Sequence, residues 1–469
     1  MANFDALLEK FNERMKKYRV RLHGAVLMSG KEVVGEIYNR PYTAETKTRM
    51  YSVSKSVVAV AIGRLVGEGK LSLDERIVDI FADRFDMSGV HPWLKEQTVR
   101  HMLRMTTVYS RGTYTPKESN WLESYFGAIQ PTHPCGTVWN YDSSGSYVLG
   151  AIVKHRTGKD FVEYLRPVFD EIGVSDGVYC FAGPDGEAWA PSAFMATTAD
   201  IAKIAYLLLE NGEWNGKSLI PKDYAKDAVS PLERNDDGGD SDRFLCGYGY
   251  QIWSYPEGAF SFRGLGGQVA IAFPGRDLVF ACNSDTAGNI NHYEAIFNAV
   301  EDIILPEFPV IDCEKYNEAQ PKAIAENIFE SIKNKNFIIS DGTLKIESLR
   351  LEGDGCSYEL YYKIGGKEYC LPFSTQGETE IIFPQKYTGA PLFDKDSYMN
   401  YKCSIVGEWL TPSKLYVKVW AEDIYVGNAS ICLAFRDDGK IGVKAIKNAQ
   451  FFFDDFNGFA GGEAEKEQI

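Results

Sequence analysis

The sequence lacks several features that define large classes of proteins. No stretch approaches the roughly 18 consecutive apolar residues of a membrane-spanning helix. The N-terminal segment mixes charged with apolar residues and has no apolar core of the kind found in signal peptides. We therefore expect a cytoplasmic protein with no membrane partner. The formal net charge of −15 gives little attraction for phosphates, so nucleic acid is not an expected partner either.

Histidine and paired cysteine are also scarce. The chain has six histidines, and none of them stands in an H-E-x-x-H motif or in another spacing typical of metal ligands. The nine cysteines include no C-x-x-C pair, which argues against structural zinc and against a disulfide framework. We expect reduced thiols, no metal and no cofactor.

The hydrophobic pattern of the first two thirds of the chain predicts an α/β (α+β) domain. With 469 residues, the chain is long enough for two domains. An N-terminal amphipathic helix and a hairpin precede a mostly helical subdomain at about 73–209. Strand-like runs then follow, among them "YGYQIWS", "AFSFRG", "QVAIAFPG" and "DLVFACNS", before one more helix. We interpret 1–308 as an antiparallel sheet flanked by helices.

The remaining third predicts a second, all-β domain. The proline-containing segment 309–325 has the character of a linker. Beyond it, "SYELYYKIGGKEYCLPF" and "KLYVKVWAEDIYVG" alternate apolar and polar residues around tight turns. This pattern predicts an antiparallel barrel or sandwich over 326–460. The final segment 461–469, "GGEAEKEQI", has the composition of a disordered tail.

The stretch "YSVSKSVVAVAIGRLVGEGK" places serines and a lysine at the start of an apolar helix. Ser52 and Lys55 are three residues apart and share a helix face, whereas Ser54 points away from the lysine. A lysine whose pKa is lowered by burial can take the proton of a hydroxyl, and free N–H groups at the helix start suit an oxyanion. Ser52 is therefore a candidate nucleophile with Lys55 as its base. The alternative is that Ser52 only caps the helix.

Four segments, in this order, resemble the penicillin-recognising serine hydrolases, specifically the class C β-lactamase-like group of esterases, peptidases and amide hydrolases. The resemblance covers about 22–305, and it implies a β-lactamase/transpeptidase-like fold and an acyl-enzyme on Ser52. The segments are "YSVSKSVVAVAIGRLVGEGKLSLDERI", "TVRHMLRMTT", "CGTVWNYDSSGSYVLGAIVKHRTGKDFVEYL" and "GLGGQVAIAFPGRDLVFACN".

The resemblance also implies a second motif, a tyrosine followed two positions later by Asn or Ser. Here it is Tyr141 with Ser143. In the family this tyrosine shares proton transfer with the lysine, and the third residue hydrogen-bonds the lysine or the substrate. Because an ammonium lowers the pKa of a nearby phenol, Tyr141 and Lys55 could exchange one proton. Which of the two is the initial base stays open.

The third family motif, Lys-Thr-Gly or His-x-Gly on a strand, is altered. Phe262 and Arg263 precede Gly264, so the basic residue that grips a substrate carboxylate is absent. This departure disfavours β-lactams, and Arg263 is either a surface residue or a substrate anchor. The backbone N–H of Leu265 is expected to join that of Ser52 around the oxyanion. The resemblance assigns the substrate and oxyanion contacts of this region to Gly264, Leu265, Gly267 and Gln268.

These observations favour a serine hydrolase that cleaves a small ester or amide, such as a short peptide, including one with D-residues, or a modified amide. Two alternatives stay open: a catalytically inactive ligand-binding protein on the same fold, and a true β-lactamase. The C-terminal domain resembles the lipocalin-like β domains of some related hydrolases. We expect it to be a structural appendage or an oligomerisation surface, which leaves a homo-oligomer possible.

Overall fold

A computed structural model describes residues 4–115, 117–235, 245–286, 290–314, 326–388, 398–422, 426–450 and 452–466. Nearly all of its helical residues precede position 308. A π-helical turn (Val300–Ile304) and a 3-10 turn (Leu305–Glu307) directly follow the helix Ile290–Ala299. The α-helices are α1 (Phe4–Lys17), α2 (Val53–Gly67), α3 (Ile77–Ile80), α4 (Pro92–Lys95), α5 (Val99–Leu103), α6 (Trp121–Ser124), α7 (Ser143–Thr157), α8 (Phe161–Ile172), α9 (Thr198–Leu209), α10 (Lys222–Val229), α11 (Ile290–Ala299) and α12 (Phe329–Ile332).

The first domain is built on a six-stranded antiparallel sheet, as the sequence predicts. Its strand order is β2-β1-β11-β10-β9-β8, so the first hairpin pairs with the last strand of the sheet. The run "YGYQIWS" contributes only two residues, because its backbone turns back on itself through bridges of Tyr248 to Glu233 and to Trp253. The strands are β1 (Arg21–Ser29), β2 (Glu32–Tyr38), β8 (Trp253–Ser254), β9 (Phe260–Gly264), β10 (Gln268–Phe273) and β11 (Leu278–Asp285).

Both faces of this sheet are buried, which explains why its central strands are apolar almost throughout. Along β10, Val269 and Ile271 face α1 and α11, whereas Ala270 and Ala272 face α2 and the helical layer. Helix α2 lies between the sheet and helices α7 and α8, and it is therefore apolar on all sides. The start of α2 is thus held from several directions. Shorter pairings complete the domain: β3 (Thr48–Arg49), β4 (Tyr179–Cys180), β5 (Phe194–Ala196), β6 (Glu213–Trp214) and β7 (Lys217–Ser218).

The second domain is a nearly closed antiparallel barrel, which confirms the predicted fold. Ten strands follow the order β15-β14-β13-β12-β23-β22-β21-β20-β19-β16, and the end strands β15 and β16 lie next to each other. Aromatic and aliphatic side chains pack inside it, including Tyr358 stacked on Phe373. Its strands are β12 (Asn336–Gly342), β13 (Ser348–Gly353), β14 (Ser357–Ile364), β15 (Lys367–Ser374), β16 (Thr379–Ile382), β17 (Tyr387–Thr388), β18 (Tyr398–Met399), β19 (Lys402–Thr411), β20 (Lys414–Ala421), β21 (Asn428–Phe435), β22 (Lys440–Asn448) and β23 (Gly458–Ala464).

The expectation of a disordered tail from residue 461 is wrong for its first residues. Strand β23 continues to Ala464 and pairs with both β12 and β22. The composition misleads because glycine is needed here for space: a methyl group on Gly461 would lie 2.6 Å from the Trp93 ring. Of the tail, 467–469 lie outside the described residues, as do 315–325 of the predicted linker.

Across the described residues, every helix falls short of the length and apolarity that spanning a membrane requires.

Candidate active site

Ser52 stands at the N-cap of α2 with its side chain turned away from the capping position. Its backbone is already helical (φ −70°, ψ −8°), and its hydroxyl makes no capping hydrogen bond. Instead, Lys55 Nζ donates to Ser52 Oγ at 2.9 Å. The preceding residue, Tyr51, has a left-handed backbone (φ 47°), an unfavourable conformation for a residue with a side chain. The alternative that Ser52 is simply a helix cap does not describe this geometry.

Lys55 is buried, with only 2% of its surface exposed. Its ammonium donates a second hydrogen bond to the carbonyl oxygen of Pro191 at 2.8 Å. Burial lowers the pKa of Lys55 to about 7, and the negative charge of Asp142 acts in the opposite direction. A substantial fraction of Lys55 is therefore neutral near pH 7 and able to accept a proton from Ser52.

The other two serines of the stretch have structural roles. Ser54 Oγ accepts a hydrogen bond from the backbone N–H of Phe194 at 3.1 Å. Ser56 Oγ donates to the carbonyl oxygen of Gln251 at 2.8 Å. Both bonds tie α2 to neighbouring segments and leave Ser52 as the serine that contacts Lys55.

Tyr141 lies beside Ser52 and Lys55, as its place in the second motif implies. The Lys55 ammonium is 5.0 Å from the centre of the Tyr141 ring. Burial raises the pKa of Tyr141 to about 12, against a smaller opposite effect of the Ser52 hydroxyl. The expected lowering of the phenol pKa is therefore not found, because burial of the phenol disfavours its charged form. These pKa directions favour Lys55 over Tyr141 as the initial base.

Ser143 is the first residue of α7, and the structure does not place its hydroxyl on Lys55. Within the described residues, the partners of the lysine are Ser52 and Pro191. The residue between the motif positions, Asp142, is buried and accepts hydrogen bonds from Thr107 Oγ1 at 2.9 Å and from the backbone N–H of Ser144 at 2.8 Å. Sequence reasoning missed both Asp142 and Pro191. Only Asp142, which lies inside the motif, carried a signal that could have found it.

The strand β9 brings Gly264 against the start of α2. A methyl group on Gly264 would lie 2.3 Å from the Met50 carbonyl oxygen and 3.3 Å from the Ser52 nitrogen. Only glycine allows this close approach. Within the described chain, neither the Ser52 N–H nor the Leu265 N–H donates a hydrogen bond to another group. The two donors are therefore available to a ligand oxygen.

The residues after Gly264 form the turn into β10. The Leu265 side chain is 62% exposed to solvent. The Gly267 N–H donates to the Gly264 carbonyl oxygen at 3.2 Å, so it is used within the turn. The Gln268 amide donates to Leu265 O at 3.2 Å and to Ser284 O at 2.8 Å, and it is buried. The Gly267 N–H and the Gln268 amide thus make hydrogen bonds that support the turn.

The sequence predicts Arg263 to be either a surface residue or a substrate anchor, and the structure shows neither. Its guanidinium is buried, donates to Ser261 Oγ at 2.7 Å, and lies 5.2 Å from the Trp253 ring centre. Phe262, on the opposite face of β9, is fully buried in the core. The third motif therefore supplies no exposed cation at the site.

Two further groups of residues bear on the chemistry. An aromatic cluster of Trp139, Tyr141, Tyr248 and Trp253 adjoins the site, and Tyr141 stacks on Trp253 with ring centres 5.7 Å apart. In the described parts of the chain, no group of three His, Cys, Asp or Glu side chains is arranged to hold a metal ion. The chemistry that these residues can perform is nucleophilic attack by a serine with a neutral amine as base.

An antiparallel sheet backed by helices, with Ser-x-x-Lys at the start of a buried helix, defines a β-lactamase/transpeptidase-like protein. Residues 7–301 match the family model described as Beta-lactamase. The chain belongs to the β-lactamase family.

Several known proteins are similar to this chain. The 6-aminohexanoate-dimer hydrolase of Paenarthrobacter ureafaciens is 20% identical over 251 residues, which span 50% of this chain and 62% of that relative. The structure of a Bacillus anthracis protein proposed to be a 6-aminohexanoate-dimer hydrolase has a TM-score of 0.54, with 21% identity, over 64% of this chain and 82% of its own. The octameric penicillin-binding protein homologue from Pyrococcus abyssi covers 98% of this chain and 100% of its own, with a TM-score of 0.52 and 17% identity. The structural likenesses show a shared fold.

Proposed function

We propose that this protein is a serine hydrolase that forms an acyl-enzyme on Ser52 and hydrolyses a small ester or amide. The observation that carries the proposal is the 2.9 Å hydrogen bond from a buried lysine to a serine hydroxyl that caps nothing. A pKa of about 7 makes Lys55 a suitable base at neutral pH. The family and the hydrolase names of its relatives support the same class of reaction.

The reaction follows from the positions of these groups. Neutral Lys55 takes the proton of Ser52 as Oγ attacks the substrate carbonyl carbon, and the carbonyl oxygen becomes an oxyanion between the N–H groups of Ser52 and Leu265. Collapse of this intermediate breaks the ester or amide bond. The leaving group receives the proton from Lys55, with the Tyr141 hydroxyl beside it as a relay. Water then attacks the acyl carbonyl carbon while Lys55 accepts its proton, and collapse of this second intermediate breaks the bond to Ser52 Oγ, returns the proton to it and releases the acid.

We propose a substrate that is neutral near its scissile bond. Phe262 and Arg263 occupy the positions before the motif glycine, both side chains are buried, and the Arg263 guanidinium bonds Ser261. No cation on β9 is thus placed to attract a substrate carboxylate. The relative that acts on a 6-aminohexanoate dimer supports a small-molecule substrate. A short peptide, including one with D-residues, and a modified amide both fit this proposal.

The first test is labelling with a fluorophosphonate, which reacts with activated serines. We expect one adduct by intact mass in the wild type and none in Ser52→Ala. Ser54→Ala is the matched control, because it removes a serine two residues away whose hydroxyl accepts a hydrogen bond from the Phe194 N–H. Folded wild-type protein that takes no adduct would instead support the alternative of an inactive ligand-binding protein.

A second test separates this proposal from a true β-lactamase. We expect turnover of a neutral chromogenic ester and no turnover of a chromogenic cephalosporin, which carries a carboxylate. Cephalosporin hydrolysis that is lost in Ser52→Ala would favour the β-lactamase alternative.

We also propose a homo-oligomer, on the support of the octameric homologue from Pyrococcus abyssi. Light scattering of the purified protein during size-exclusion chromatography measures the assembly directly, and a mass of one chain would refute the proposal.

A further inference from the structure

The C-terminal barrel contacts the segment 134–139, which leads directly into Tyr141. One face of β22 carries three residues at alternate positions, and each of them meets the first domain. Lys440 Nζ donates to Glu96 Oε1 at 2.8 Å. A methyl group on Gly442 would lie 2.2 Å from Thr137 Oγ1, which shows how closely the β22 backbone approaches the Thr137 side chain. Lys444 Nζ donates to the Trp139 carbonyl oxygen at 3.0 Å.

The opposite face of β22 explains why these contacts are fixed. Ile441, Val443 and Ala445 point into the barrel core, and side chains alternate along a strand. A shift of β22 by one residue would turn its apolar residues out of the barrel. The core therefore sets the register in which Lys440, Gly442 and Lys444 face the first domain.

Lys444 makes an unusual contact for a lysine. Its surface is 3% exposed, and its ammonium lies 5.5 Å from the centre of the Trp139 ring as well as on the Trp139 carbonyl oxygen. The Trp139 indole N–H is buried and finds no hydrogen-bond partner within the described residues. The indole N–H thus does not orient the ring. Trp139 is therefore held by packing and by the Lys444 ammonium, which contacts both its carbonyl oxygen and its ring.

Trp139 in turn contacts the side chains around Tyr141. Its ring centre lies 5.8 Å from that of Trp253 and 6.4 Å from that of Tyr141, and Tyr141 stacks on Trp253. The path from the barrel to the site is therefore short and continuous: Lys444 contacts Trp139, and Trp139 contacts both aromatic residues.

We propose that Lys444 is a positioning residue through which the C-terminal domain holds Tyr141 in the active site. The inference rests on the proposed hydrolase function, because Tyr141 matters only if Ser52 reacts. It assigns the barrel a role beyond that of an appendage: the second domain completes the support of the first domain's site.

The test compares Lys444→Met with Lys440→Met in the full chain. Both substitutions remove an ammonium from the same face of β22 that donates to the first domain, but Lys440 bonds Glu96 and lies four residues from Lys444. The first measurement is fluorophosphonate labelling of Ser52, separated into the binding constant of the probe and the rate of the chemical step. The second is hydrogen exchange of the Gly136 and Asn140 amides, which bond Thr106 O and Met105 O.

For Lys444→Met we expect the chemical step to slow by about tenfold or more, with little change in probe binding, because a small displacement of a catalytic group costs this much. The Gly136 and Asn140 amides should exchange faster than in Lys440→Met. Lys444→Arg, which keeps a donor and a charge, should restore much of the rate. If Lys444→Met does not fold, Lys444→Gln keeps the donor without the charge, and the same comparison applies.

Labelling and exchange in Lys444→Met that both equal those of Lys440→Met would overturn the inference. The two proposals fail in different ways. Absence of labelling in the wild type refutes the hydrolase proposal, whereas the exchange comparison still decides whether Lys444 holds the segment before Tyr141.

Discussion

Lys55 meets the two requirements of a base at neutral pH, namely nearness to the proposed nucleophile, Ser52, and a pKa close to the working pH. Its ammonium contacts Ser52 Oγ, and burial lowers its pKa to about 7. Tyr141 meets only the first requirement, since burial raises its pKa to about 12. These pKa shifts distinguish two residues that the sequence left equivalent, and we propose that Lys55 takes the proton while Tyr141 keeps one and passes it on.

We predict that acylation of Ser52 depends on the protonation of Lys55. Below about pH 7 the amine is protonated and cannot accept a proton, so the rate should rise with pH and level off above about pH 7 to 8. Lys55→Arg should lose at least about a hundredfold in labelling rate, because a guanidinium stays protonated throughout this range. The measurement is the second-order rate of phosphonylation against pH. A rate that is the same at about pH 6 and about pH 8 would contradict this role.

Asp142 provides a second prediction, because its negative charge raises the pKa of Lys55. Asp142→Asn removes the charge and keeps an oxygen for the Ser144 N–H, but it replaces the second oxygen, which accepts from the Thr107 hydroxyl, by an amide nitrogen. The pKa of Lys55 should fall, so the rising limb of the pH–rate profile should move to lower pH. Thr107→Val is the control for the loss of a hydrogen bond without loss of the charge. A limb that does not move, or that moves upward, would show that Asp142 does not act electrostatically on Lys55.

At the level of helices and strands, the sequence predicts elements with strong periodicity and misses elements defined by contacts. The hairpin of β1 and β2, the apolar helix α2 and the strands β9, β10 and β11 are where the pattern places them. The run "YGYQIWS" is mostly not a strand, because bridges of Tyr248 fold it back. Gly461 does not indicate disorder, because a glycine is needed there to leave space for the Trp93 ring.

The candidate site likewise contains residues that a local pattern predicts and residues that only tertiary contacts bring together. Ser52 and Lys55 are three residues apart on one helix, so local geometry was enough to pair them. Pro191 comes to Lys55 from a distant loop, and Trp139 becomes relevant only through its contact with the barrel. Such residues carry no local pattern, because their roles depend on tertiary contacts rather than on neighbours in the chain.

We predict that Gly264→Ala disables the site at the junction of β9 and α2. The added methyl group would lie 2.3 Å from the Met50 carbonyl oxygen, so the strand must move away from Ser52. Loss of one oxyanion donor typically slows acylation by about a hundredfold to a thousandfold. The measurement is again the labelling rate of Ser52. Gly127→Ala is the matched control, because a methyl group there meets nothing within 4 Å. Wild-type labelling of Gly264→Ala would show that the close approach is not required.

At the scale of the whole molecule, the two domains meet through charges of opposite sign. The first domain supplies Glu96 and Glu233, and the barrel supplies Arg436, Lys440 and Lys414. The pair of Glu233 with Lys414 is the most buried of these, with 4% and 8% of the side chains exposed. Charges removed from water to this degree need their partners, since a single buried charge costs more than the pair.

The higher cost of a single buried charge leads to a prediction about stability. Glu233 contacts both Lys414 and Arg104, so Glu233→Gln leaves Lys414 buried without a counter-charge and should lower the free energy of unfolding by about 3 kcal/mol. Lys414→Met should cost less, because Glu233 keeps its ion pair with Arg104. The double variant should be no less stable than Glu233→Gln alone, since the stranded charge is then gone. Urea unfolding of all three variants measures the order. If Lys414→Met costs more than Glu233→Gln, the carboxylate is not what makes burial of the lysine tolerable, and the barrel is held on the first domain mainly by packing.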